Sequence, residues 1–571
     1  LSQQKNPKSG DRSNAGKVIS IRREPAAPLF SLSGSEALNK ILDRENPGRL
    51  VRGMNRVDLF WLIKKIGEDD SIPLLRLASL DQWQYILDME LWRRDRMNLE
   101  QTFTWMDRLC KADPERLSGW LLSEDGNLQA HFYLFNALQI IIKQDDDFQA
   151  PDGFITFDGL YYIRILNKEH EEDIAYILRT MAQQDYNRYQ ALLMGVTGAI
   201  AAEIEEEMYR LRSNRLAEDG YLPSEEALSV YSHQRADLLK KDKSGYKLYD
   251  HNKDSMIPVP LTPFIHAPAD NLFARALTLV RDNLSLDRLR VEFAGLCNQI
   301  LSADGVSPED IEILIRISRK AAGYINLGLE RLSEGNIEIS EQFVRNNPLI
   351  SIFRVGFGLT LELKWETEKW FRDAWFLNHG LPHYFWGDEW GGTLKGILEN
   401  RPLFHIGLKQ EGEYRHFESL GELEKCRDII HRLMLLDGLL QDLSSRYPIE
   451  IELSGEPLLT FKPLLINLWA LRQLKLDPGF LPLSLDQAKK FLRVIRGKEK
   501  NPPFRMTGMG EVFIRDIMSH KKRLPSHDIS LLEHTLSLLW QEFTEEYAMV
   551  KTSDLDTRFA RLMIIESHAD A

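Results

Sequence analysis

The sequence predicts a mainly α, multi-helical protein with an N-terminal superhelical stack of short helices and one or two small β-hairpins. Three observations carry this expectation: closely spaced helix caps between residues 55 and 114, long helical periodicities in the second half, and only two β-rich stretches. At 571 residues, 43% of them hydrophobic and 27% charged, the chain is too long for one core and ordinary in composition for a folded protein.

The elements follow in order. Residues 1–35 are polar, lack the apolar segment of a signal peptide, and are expected to be a disordered leader. The stack is expected over 36–145. Within "NRVDLFWLIKKIGEDDSIPLLRLASLDQWQYILDMELW" (55–92), Asn55 opens a helix that Gly67 closes, and Asp69 is placed to cap the next, with Pro73 in its first turn. Ser79 begins the capping box "SLDQ"; Asn98 with Gln101 and Asp113 with Pro114 mark two further starts. Helices this short are marginal alone, so each must bury a wide apolar face on its neighbours.

A hairpin followed by helices is expected over 150–238. The runs in "GFITFDGLYYIRIL" (153–166) flank Asp158-Gly159, a strong turn signal, and helical periodicity then extends from about 172 to 215. Residues 239–270, polar and then proline-rich, are expected to be a linker. A C-terminal helical domain with a small β element is expected over 271–571. Its helices include one capped at Ser307 and stopped at Gly335, one over about 347–377, one opened by the capping box "SLGE" (419–422), and one over about 529–549. "IEIELSGEPLLTF" (449–461) alternates as a second hairpin.

A net charge of −13 argues against a general affinity for nucleic acid or for an anionic membrane. The basic runs at 493–500 and 520–523 are short, lie next to acidic segments, and read as solvated faces. Cys110, Cys297 and Cys426 are far apart, with no CxxC spacing, so reduced buried thiols and a cytoplasmic location are expected. No window of about 20 apolar residues appears, so no membrane insertion is expected.

Four groups carry side chains of chemically useful type. Asp250, Asn252 and Asp254 imitate the start of a calcium loop, but Ser255 stands where glycine is needed and Leu261 where a bidentate Glu is needed. His379, His383, Asp388 and Glu389 have the ligand types of a metal site, but Gly380 and Pro382 break the helix, and Asn378-His379-Gly380 reads as a C-cap. Glu203 and Glu207 lie one turn apart, with Arg210 placed to pair with Glu206 and Glu207. Lone histidines such as His431 and His534 read as structural. Phosphate-loop, dinucleotide, HExxH and GxSxG motifs are absent from the sequence. No catalytic residue, cofactor-binding residue, metal ligand or cofactor is therefore assigned.

"DLFWLIKKIGEDDSIPLLRLAS", "FITFDGLYYIRI", "EIEEEMYRLRSNRLAEDGY", "YINLGLERLSEGN" and "TLKGILENRPLF" together resemble an uncharacterised bacterial family of the delta-proteobacterial type. The resemblance runs over nearly the whole chain after about residue 40 and implies no catalytic residues. Residues 50–92 are also similar to the short-helix superhelix in the cytoplasmic N-terminal domain of magnesium transporters. That likeness implies acidic sensing of a divalent cation, for which Asp69, Asp70 and Asp81 are the candidates, although each sits where a helix cap or first turn needs an acid.

The expected function is that of a cytoplasmic, non-catalytic scaffold or regulatory protein that binds another protein, with Trp83, Trp92, Trp105 and Trp120 as candidate surface aromatics. Core packing is the competing reading of those tryptophans. The alternatives are an enzyme with a site near the 378–405 loop, using Asp388, Glu389 and a histidine, and a divalent-cation-responsive regulator.

Overall fold

The computed structural model describes residues 27–143, 145, 147–239, 259–409, 412–447, 449, 459–519 and 524–566. Among them are 25 α-helices and three two-stranded antiparallel sheets, so the fold is mainly α with small hairpins. The contacts divide into two compact units, one ending at Phe357 and one beginning at Gly358. That division falls inside a helix rather than within 239–270, of which 240–258 lie outside the described residues, as do most of 1–35 and of the hairpin expected at 449–461.

The first unit opens with α1 (Gly34–Leu42), α2 (Pro47–Arg52), α3 (Arg56–Ile66), α4 (Ile72–Leu77) and α5 (Leu80–Glu90). Each packs on the next but one: α1 on α3, α2 on α4, α3 on α5. The caps act as their sequence implies. Asn55 accepts from the Val57 amide, and Ser79 and Gln82 close a reciprocal capping box. Seven consecutive residues of α3, Val57 to Ile63, are buried, which leaves that helix no solvated face. Asp69 does not cap α4. Its carboxylate accepts from Arg108 at 2.8 Å, a charge-assisted bond, and Ser71 takes the N-cap position without a side-chain bond. Long polar side chains then tie the layers through helix-end carbonyls. Gln82 donates to Val51 and Met54, Arg76 to Ala112, and Arg116 to Leu75 and Ala78.

A tight hairpin, β1 (Trp92–Arg93) and β2 (Arg96–Met97), leads to α6 (Leu99–Ala112), α7 (Pro114–Leu121) and α8 (Asn127–Ala137). β3 (Leu138–Ile142) pairs with β4 (Tyr161–Ile165) in register Ile140 to Ile163. The expected partner of β4, the run beginning at 153, contributes only the bridge Ile155 to Ile163. The turn itself forms as its residues imply: Gly159 has φ 70°, and Asp158 accepts from the Leu160 and Tyr161 amides. What moved is the pairing, because β3 continues directly from α8 and offers β4 five paired positions where the local run offers one. The helical segment that follows is three helices, α9 (Glu171–Gln184), α10 (Tyr186–Thr197) and α11 (Ala201–Ala217), then the single turn α12 (Ser224–Ala227).

The unit closes with α13 (Thr262–Ile265), α14 (Leu272–Leu279), α15 (Asn283–Asp304), α16 (Ile311–Ser333), α17 (Ile337–Asn346) and the start of α18 (Leu349–Phe371). The helix expected to begin at Ser307 starts later, because Asp310 accepts from the Ile313 amide and is the actual cap. α16 and α18 cross at two glycines. A β-carbon on Gly356 would lie 2.0 Å from the Tyr324 carbonyl oxygen, and one on Gly328 would lie 2.3 Å from that of Ile352.

The second unit contains the rest of α18, α19 (Trp375–Asn378), α20 (Asp388–Leu398), β5 (Phe404–Lys409), β6 (Gly412–Arg415), α21 (Leu420–Ser444), α22 (Phe461–Gln473), α23 (Leu485–Arg496), α24 (Met509–Met518) and α25 (Ser526–Tyr547). Trp469 anchors its core, edge-on to Phe491, Phe513 and Trp540 at 5.4–5.6 Å. Buried Asn467 donates to the carbonyls of Leu481 and Ile564, which fastens the C-terminal segment beside Leu483.

Two predictions follow from this packing. Gly356→Ala places a methyl group against backbone and lowers stability by about 1–3 kcal/mol. Gly295→Ala in α15, where nothing lies within 4 Å of the added carbon, is neutral or stabilising by up to about 1 kcal/mol. Denaturant midpoints of the two variants check this, and equal losses would contradict the close crossing. The second prediction concerns His266, whose imidazole burial lowers to about 4, with Lys65 adding to the effect. As pH falls from 6.5 toward about 4, the unfolded chain takes up a proton that the folded chain refuses, so this group makes stability fall with pH. His266→Gln is expected to flatten that slope in urea unfolding measured at pH 7 and pH 4.5.

Candidate functional site

Helix ends far apart in sequence converge in the first unit around a cavity of about 870 Å³. Its lining comes from the C-terminal ends of α3, α5 and α15, the β1–β2 turn, the start of α6, the middle of α11, and the segments around 222 and 307. The wall is chiefly polar and charged: Lys64, Glu68, Glu90, Arg93, Arg94, Asp95, Arg212 and Glu309, with Trp92, Tyr209 and Tyr221 between them.

One wall is a buried charge network. The Lys64 ammonium lies 2.7 Å from Glu90 and 2.5 Å from Glu68, and Arg108 reaches the far oxygen of Glu68 at 3.0 Å. Burial holds the Glu90 carboxyl above its ordinary value against the opposing pull of Lys64. Also in the lining, Arg212 donates through Nε to the Asp88 carbonyl at 2.6 Å, and its guanidinium lies over the Trp92 ring, 5.4 Å from its centre. Asp88 is itself held by both Nε and Nη2 of Arg215, at 2.7 and 2.8 Å; its charge still acts on Arg212, but among the described residues no carboxylate forms a salt bridge with Arg212. Trp92 and Tyr209 meet at 5.7 Å between ring centres.

The groups singled out from sequence lie elsewhere. The 378–405 loop is mostly helix: Asp388 and Glu389 form the first turn of α20, and Glu389 pairs with exposed Lys425 at 2.7 Å. His379 is the C-cap of α19, its Nδ1 2.9 Å from the Trp375 carbonyl, with Gly380 at φ 71°, while His383 stacks on Phe371. Glu207 receives Arg210 at 2.6 and 3.0 Å. Asp69 is engaged by Arg108, and Asp81 lies 3.6 Å from Arg56. Residues 250–258 lie outside the described residues. Among the described residues, no three His, Cys, Asp or Glu side chains form a group fit to hold a metal ion. Trp83, Trp92, Trp105 and Trp120 are all buried, so the packing reading of these four holds and the surface reading is corrected. The three cysteines are buried and free. No helix of the described residues is long and apolar enough to cross a membrane.

Residues 19–566 match the family described as "Family of unknown function (DUF6178)". The chain belongs to that family. No curated protein and no solved structure matches this DUF6178 member. Its cavity was not legible locally, since its residues run from Lys64 to Glu309 without a motif. The available signal was the arginine-dense "WRRDR" (92–96), which stands out in an acidic chain.

Removing the central cation tests the network. Lys64→Met takes the cation from Glu90, which is largely buried, while Glu68 keeps Arg108, and is expected to destabilise the protein by about 3 kcal/mol. Adding Glu90→Gln should recover part of that loss in thermal melts; no recovery would mean that the pair is not coupled.

Proposed function

We propose that this DUF6178 member is a non-catalytic, cytoplasmic helical scaffold or regulatory protein that acts by binding another protein, with its N-terminal short helices forming a superhelical stack. The buried tryptophans no longer support the reading; exposed apolar side chains do. Nine of the large exposed hydrophobic residues fall between 135 and 200, from the end of α8 through the β3–β4 sheet to the start of α11. Leu166 is 53% exposed, Ile200 57% and Met194 67%. Two hydrogen bonds, Tyr186 Oη to the Asp158 carbonyl and Gln190 Nε2 to the Asp158 carboxylate, join α10 to the turn that carries Leu160. A concentration of exposed apolar side chains in one stretch of the chain is what a protein partner would bury.

Leu166→Ser and Met194→Ser together are expected to abolish recovery of a crosslinked partner from native lysate while leaving the melting temperature unchanged. Such surface changes lie within about 0.5 kcal/mol of neutral. A partner recovered equally with both proteins, or none above background with the wild type, would sink this reading.

A further inference from the structure

The β1–β2 hairpin combines two unfavourable features. Arg93 and Arg96 are directly opposed across the strands, a like-charge pair that destabilises a ladder. Between them Arg94 sits at φ 61°, a left-handed conformation suited to glycine or asparagine. Among the described residues no carboxylate forms a salt bridge with Arg93, Arg94 or Arg96. Arg93 and Arg94 line the same cavity as Arg212, which likewise forms no salt bridge among the described residues. Arg93, Arg94 and Arg96 are exposed, and Glu68 and Glu90 of the lining are already engaged by Lys64, so the guanidinium groups of this turn and Arg212 are the positive groups there open to an added anion.

We propose that this cavity binds a phosphate-bearing small molecule. Arg94 and Arg212 grip the phosphate, and Arg93 adds positive potential at the mouth. Guanidinium groups suit this role because their planar fork matches phosphate oxygens two at a time. The cavity volume, about 870 Å³, suits an organic phosphate of metabolite size. Asp95 and Glu309, both in the lining, are acceptors for hydroxyl groups on the remainder of such a molecule, and Trp92 with Tyr209 offers it an aromatic wall. The assignment is independent of the protein-binding surface on 135–200.

The test is thermal shift and isothermal calorimetry on the full chain with inorganic phosphate, a sugar phosphate, a nucleoside diphosphate and the unphosphorylated sugar and nucleoside, at constant ionic strength. A saturable rise in melting temperature is expected with at least one phosphate compound and not with its unphosphorylated counterpart. A response to inorganic phosphate alone identifies a bare oxyanion as the occupant, and a response confined to one ester identifies the organic moiety; either supports the site. Arg94→Gly is expected to weaken binding at least tenfold with folding unharmed, because glycine relieves the left-handed backbone. Arg212→Met should weaken it further. No response to any phosphate compound at millimolar concentration, or binding unchanged in both variants, would overturn the assignment.

Discussion

Buried backbone amides must find acceptors, and in this protein side chains from distant helices supply them. Asp58, buried on α3, accepts from the amides of Leu261 and Thr262 and from the Thr262 hydroxyl, at 2.7–3.0 Å and more than 200 residues along the chain. The start of α13 is thereby seated on α3, and α13 in turn packs on α15 and α16. Asn326 repeats the device by accepting from the Leu272 and Phe273 amides at the start of α14. In the second unit Asp437 on α21 accepts from the amides of Trp375 and Phe376, which fixes α19. A carboxylate buried in this way is held by several donors at once, and removing it leaves each of those donors unsatisfied.

The same constraint explains why short helices suffice for the N-terminal stack. A helix of six residues, such as α2 or α4, has most of its backbone groups at its ends, so its stability depends on what meets those ends. Arg76, Gln82 and Arg116 meet the carbonyl ends, while Asn46, Ser79 and Asp113 meet amide ends. The apolar faces add burial, but these polar ties decide which helix end faces which neighbour.

Much of this was readable from the chain. Caps at Asn55, Ser79, Asn98, Asp113 and Ser419 act over two or three residues, so sequence proximity is enough to identify them. Readings failed where a distant group competed. Asp69 left its expected cap for Arg108, and β4 took β3 rather than the run beside it as its main partner. The β5–β6 sheet went unread, and the loop expected at 378–405 contains the helix α20. The cavity is the extreme case. Arg94 and Arg212 are 118 residues apart, and nothing in either neighbourhood tells of the other.

The sequence by itself determined the helical class, several N-terminal helix starts, the Asp158-Gly159 turn and family membership, because periodicity and capping are local properties of consecutive residues. Only the tertiary structure decided that the four N-terminal tryptophans are interior, that the compact units part within α18, and that three helix C-termini meet the arginine hairpin around one cavity. Those outcomes depend on which surfaces exclude water together and which distant donors and acceptors satisfy each other, and neither is encoded in any single stretch of the chain.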